Sequence, residues 1–95
     1  MVDFASTLSF LENTALPSYE EDYGSPAILL SVEEREWGWI FHCKIKDPTK
    51  IPQDLTVRDE YHVVLIDKEN GNVECAPRGR LDWKMERLLM RRINL

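Results

Sequence analysis

The sequence predicts an α+β fold: an antiparallel four-stranded sheet of two hairpins, with an N-terminal and a C-terminal helix packed on one face. Three observations carry this reading. Phe4, Leu8, Leu11 and Ala15 open the chain at helical spacing. Trp37, Trp39, Phe41, Cys43 and Ile45 then alternate with smaller or polar residues at the period of a strand. Met85, Leu88, Leu89 and Ile93 close it with a second helical stripe. The 95 residues suffice for a single domain, 1–95, and for no second one.

Asp3 is placed to cap the first helix, because a carboxylate there accepts from orphan N–H groups at the positive end of the helix dipole. Leu16-Pro17 should end that helix, since the residue before a proline avoids the α region. Pro17 to Pro26 is then a loop. It is acidic, aromatic and the most exposed-looking stretch of the chain. Ala27 to Glu34 reads as a strand with Ile28, Leu30 and Val32 on one face and Leu29 on the other. Arg35-Glu36 makes a tight connection or a bulge. Trp37 to Ile45 returns as the clearest strand, its large side chains all pointing one way. Lys46 to Glu60 contains Pro48 and Pro52 and is read as a loop, with room for one helical turn near Gln53. Tyr61 to Asp67 is the third strand and Val73 to Ala76 the fourth. A loop of Lys68 to Gly71, with Gly71 left-handed, sets Ile66 opposite Val73 and Val64 opposite Cys75. That register keeps apolar partners on one face. Pro77 and Gly79 break the pattern, and Asp82 caps a closing helix from about Trp83 to Ile93.

Composition narrows the function. Hydrophobic residues make up 43% and charged residues 31%, with a net charge of −5. That balance suits a soluble domain and disfavours a non-specific nucleic-acid binder, which needs a surplus of Lys and Arg. No apolar run approaches the roughly 20 residues of a membrane span. Asp3 stands where a secretory signal would be basic, so a cytoplasmic protein is expected. The charge is unevenly spread: −7 over residues 1–36, −2 over 37–77 and +4 over 78–95. Such a dipole is either a solvated surface or a device that steers a charged partner.

The inventory of chemical groups is thin. His42, Cys43, His62 and Cys75 lack the spacing of a closed zinc site, and adjacent His42 and Cys43 point to opposite sheet faces. Both cysteines lie in apolar strand patterns, where a thiol serves as a small hydrophobe. Neither has the helix N-terminus or basic pocket that makes a nucleophile. The paired carboxylates look exposed, and the four glycines are scattered singly. No catalytic residue, cofactor or metal is therefore expected, and the protein is read as a non-enzyme. Tyr19 and Tyr23 flank Glu20, Glu21 and Asp22, a composition suited to protein binding. The expected partner contacts are Tyr19, Glu20, Glu21, Asp22, Tyr23, Glu33, Glu34, Glu36 and Trp37.

The segment EWGWIFHC at 36–43, followed by VVLIDKENGNVECAP at 63–77, resembles the YrhB-like family, also called immunity protein 35. Gly38, Trp39, Ile40 and Phe41 match its Gly-Trp-aromatic-Phe pattern. Ile66, Asp67, Lys68, Gly71 and Val73 match its second strand pair. Asp59, Glu60 and Tyr61 stand where the family has a small-residue and Pro stretch, and the basic tail after Pro77 also departs from the pattern. The resemblance implies a small immunity protein that binds and neutralises a cognate toxin domain in the cytoplasm of the producing cell. A nuclease toxin would offer a basic cleft to an acidic inhibitor. The matched residues are core and turn, so they imply a fold and leave the contacts to the acidic first third. The partner expected is thus a protein, with no nucleic acid or membrane, and the chain a monomer or weak homodimer. The same resemblance permits a chaperone-like or adaptor domain that binds exposed apolar segments. A small enzyme using Cys43 or Cys75 is a third possibility.

Overall fold

The computed structural model describes residues 2–55 and 59–77. Within them the chain forms an N-terminal helix and one open antiparallel sheet, an α+β arrangement. The closing helix expected over 83–93 lies outside the described residues.

The helix begins where the sequence places it. Asp3 accepts from the Ser6 amide at 2.7 Å, and the Thr7 hydroxyl donates to the Asp3 carbonyl at 2.8 Å. It does not stop at Leu16. α1 spans Phe4–Phe10, a π-helical segment spans Leu11–Ala15, and α2 continues over Leu16–Tyr23. The residues at the joins, Phe10, Leu11, Ala15 and Leu16, all keep right-handed helical backbone. The Leu16 amide donates to the Leu11 carbonyl, five residues back. The ladder thus changes register just before Pro17, which has no N–H to offer and whose ring collides with a four-back carbonyl in a regular helix. Pro17 falls in the first turn of α2, where the missing donor costs little. The expected loop at 17–26 is therefore mostly helix. It ends at Gly24, whose φ of 74° is left-handed.

Four strands follow in the order β1-β2-β3-β4: Ala27–Glu34, Gly38–Ile45, Tyr61–Asp67 and Val73–Pro77. The central pair, β2 and β3, is covered on both faces, which explains the near-continuous apolar run from His62 to Ile66. The β3–β4 register is the one the hydrophobic pattern demands: Ile66 faces Val73 and Val64 faces Cys75, with Gly71 at φ 74°. Asp67 fixes the turn by accepting from the Glu69 and Asn70 amides at 2.7 and 3.1 Å.

The core lies between the helix and one sheet face. Leu11, Ala15, Leu16 and Tyr19 meet Trp39, Phe41, Cys43, Ile45, Val64 and Ile66 there. Ile40, Val63 and Leu65 make a smaller cluster on the other face, joined by Trp37 and Ala76. Trp37 thus parts company with Trp39, against the expectation that the two share a face. It precedes β2, so the strand's alternation does not govern it. Facing in β1 also differs from expectation. The pairing with β2 slips between Leu29 and Ser31, so one extra residue is inserted at Leu30. Leu29 and Val32 consequently pack on the main core, while Ile28 and Leu30 remain exposed at 41% and 48%. In the β2–β3 connection a 3₁₀ turn forms at Pro48–Lys50, and a single hydrogen-bonded turn, the Leu55 amide donating to the Pro52 carbonyl at 3.2 Å, lies around Gln53. Asp47 caps the 3₁₀ turn, accepting from the Thr49 amide at 3.2 Å.

Candidate partner-binding site

The nine expected contact residues fall into two groups at opposite ends of β1. Seven residue steps at about 3.3 Å each put them on the order of 20 Å apart.

The first group sits at the far end of the helix. Glu20, Glu21 and Asp22 are exposed on the last turn of α2, where no basic residue accompanies them. A helix C-terminus carries partial negative charge from its unpaired carbonyls, so three carboxylates there work against the helix. Tyr19 is not on the surface beside them. It follows Leu11 and Ala15 at helical spacing and turns into the core at 9% exposure. Tyr23, one turn further on, is half-buried. Their rings cluster with His62 of β3: centroids lie 5.7 Å apart for Tyr19–Tyr23, 5.1 Å for Tyr19–His62 and 4.8 Å for Tyr23–His62. A cleft of about 290 Å³ opens over this cluster, with Ser18 and Asp22 on the helix side and Cys75, Ala76 and Pro77 of β4 on the other.

Burial shapes the chemistry of the cleft. The Tyr19 hydroxyl is buried with no hydrogen-bond partner among the described residues. Desolvation, and then the nearby Cys75 thiol, push its ionisation far above the ordinary tyrosine range. Tyr23 is also raised, by burial first and then by Asp22 and Asp59. His62 Nε2 lies 2.7 Å from the Asp59 carbonyl, which can only accept, so Nε2 carries the hydrogen. Burial lowers the His62 pKa against the opposing pull of Asp59, which favours the neutral ring. Cys75 is exposed on β4, yet desolvation by the surrounding protein raises its thiol, with Glu74 adding to this and Tyr19 opposing it. Cys43, buried in the core, is pushed up to about 12 by burial and then by Cys75. Both thiols are therefore protonated at neutral pH. No group of three metal-ligating side chains occurs among the described residues.

The second group surrounds the β1–β2 turn, and its charges are already engaged. Glu33 lies 3.2 Å from Arg35 and 3.4 Å from His42 Nε2. The His42 hydrogen bond is the main reason its carboxyl is held below the usual range. Glu34 meets Lys68 at 2.6 Å, and the same ammonium lies 5.5 Å from the Trp39 ring centroid. Glu36 is exposed, and Trp37 is partly buried against the second cluster. Of the nine residues, then, Tyr19, Asp22 and Tyr23 line the concave surface, and Glu20 and Glu21 are exposed on the same helical turn. Sequence reasoning missed Ser18 and His62 as parts of that surface. Extending the Leu11, Ala15 spacing through Pro17 to Tyr19 and Tyr23 would have pointed there.

Compared with known protein families, curated proteins and solved structures, the chain shows no match. No helix among the described residues is long and apolar enough to cross a membrane.

Proposed function

We propose that this protein is an immunity protein that binds and neutralises a cognate bacterial toxin domain, with a basic nuclease-type domain as target and the cytoplasm as its site of action. The carrying observation is the exposed Glu20-Glu21-Asp22 turn at the negative end of α2, beside an aromatic cleft. Like charges placed against a helix dipole cost stability, and such local conflicts mark functional positions. The acidic end attracts a basic surface and speeds its association. The reading is non-catalytic: both thiols are held protonated, and His62 Nε2 is committed to a backbone carbonyl. The YrhB-like resemblance points the same way.

The test is co-expression with the protein encoded immediately upstream. The expected outcome is a stable complex and rescued growth; no complex and no rescue would sink the idea. Reversing Glu20, Glu21 and Asp22 to Lys should slow association about 10-fold or more at low salt and flatten its salt dependence. Unchanged kinetics would move the interface elsewhere.

One observation favours a chaperone-like or adaptor role instead. Phe4, Phe10 and Val73 are exposed at 42%, 39% and 39%, and an apolar notch of about 110 Å³ lies between the helix and β4, lined in part by Phe10 and Val73. A chaperone would bind several unrelated apolar clients through that notch, whereas an immunity protein binds one basic target.

A further inference from the structure

We propose that the cleft between the end of α2 and the β3–β4 pair is a receptor for a single arginine side chain of the partner protein. The inference rests on the acidic-surface reading above and names the group which that surface recognises.

Charge selects a cation. Asp22 stands at the rim, Glu20 and Glu21 flank it on the same turn, and the helix end adds its own negative potential. Asp59 acts on Tyr23 and Glu74 acts on Cys75, so further carboxylates bear on the lining. None of the described lining residues carries a positive charge at neutral pH, because burial disfavours the charged form of His62. Among the described residues the charge at the cleft thus favours a cation over an anion.

Shape and aromaticity select arginine among cations. The volume of about 290 Å³ lies at the lower limit for small-ligand sites, a size suited to one side chain. Tyr23 is half-buried, and its ring stands edge-on to His62 with an interplanar angle of 72°. A planar, weakly hydrated guanidinium stacks on such a ring, whereas a compact ammonium keeps its water.

An independent observation lies beneath. Tyr19 is more than nine-tenths buried, and its hydroxyl has no partner among the described residues. It lies close to Cys75, which borders the cleft, so it faces the cavity side of the helix. The phenol stays protonated and its oxygen is free to accept. A guanidinium N–H entering past the exposed Cys75 thiol supplies the missing donor. A seated arginine would thus give the Tyr19 oxygen a donor.

The experiment is an NMR titration of the full-length protein with N-acetyl-arginine methylamide. The uncharged citrulline analogue and the lysine analogue serve as comparisons. The expected result is a saturable shift of the Tyr19, Tyr23 and His62 ring signals, with a Kd on the order of millimolar for one isolated side chain. Affinity should fall about 3-fold or more in Asp22→Asn and in Tyr19→Phe, and be weaker still for citrulline. Asp22 is exposed, so Asp22→Asn stays folded and keeps the test decisive even if a tyrosine variant does not. Equal binding of citrulline, or shifts spread over the acidic turn without saturation at the cleft, would overturn the proposal. Saturable arginine binding with no upstream complex would keep the cleft assignment and remove the immunity reading. A complex with no arginine binding would do the reverse.

Discussion

Replacing Tyr19 with Phe should stabilise the free protein, and the sign of the change is the informative part. The side chain is 9% exposed, and its ring sits 5.1 Å from His62 and 5.7 Å from Tyr23. Phenylalanine keeps that ring packing and removes only the hydroxyl. In the unfolded chain the hydroxyl is hydrated; in the fold it is buried without a partner among the described residues. Leaving such a group unpaired costs about 1–3 kcal/mol. The Cys75 thiol, a weak donor and acceptor, recovers part of this, so the lower end applies, about 1 kcal/mol. For a domain of 95 residues that is a rise in Tm of about 4–8 °C. Urea unfolding followed by circular dichroism gives the free energy directly, and an unchanged m-value shows that only stability moved. A hydrogen-bonded buried tyrosine behaves oppositely, losing about 1 kcal/mol on conversion to phenylalanine. A loss of that size in Tyr19→Phe would show that the hydroxyl has a partner and would refute the orphan reasoning.

Gly24→Ala should cost at least about 1–2 kcal/mol, because φ is 74° and an added Cβ would run into the Lys50 carbonyl; chemical denaturation measures it. Stability should also fall with acidification. The His62 pKa is lowered by burial, so the unfolded chain takes up its proton near pH 6.5 while the folded chain resists. The contribution is fully present above about pH 6.5, declines as pH falls through it, and levels off below the lowered folded value. A Tm series across that window checks this, and His62→Gln should flatten the slope there.

The sheet was legible because its constraints are short-range and repetitive. The alternation from Trp39 to Ile45 sets the large side chains on one face, and the Asp67–Gly71 turn admits few registers, so the observed β3–β4 pairing follows from the pattern. Two features were hidden because one residue changes the phase of everything after it. The extra residue at Leu30 brings Val32 onto the same core face as Leu29 and leaves Ile28 and Leu30 outside. The π-turn at Leu11–Ala15 does the same for the helix, and it lets Pro17 sit within a helical run. The proline rule correctly describes the local backbone preference. It fails here because Leu16 before the proline and Tyr19 beyond it have a core to bury against, and that gain outweighs one irregular turn.

That same continuation decides how the acidic residues should be regarded. Read as a loop, Tyr19 to Tyr23 is a solvated stretch whose five residues contribute alike. Read as the last turn of a helix, it divides: the tyrosines turn toward β3, and Glu20, Glu21 and Asp22 stay outside. The carboxylates of the β1–β2 turn differ from these in kind. Glu33 and Glu34 are matched by Arg35, His42 and Lys68, and exposed pairs of that sort contribute at most about 1 kcal/mol each. A partner's cation arriving there must displace an existing contact. At the helix end no ion pair to a described residue stands in the way, and the helix dipole adds to the attraction instead of opposing it. Fast, salt-sensitive association should therefore depend on Glu20, Glu21 and Asp22, with Glu33 and Glu34 contributing mainly to the fold of the turn.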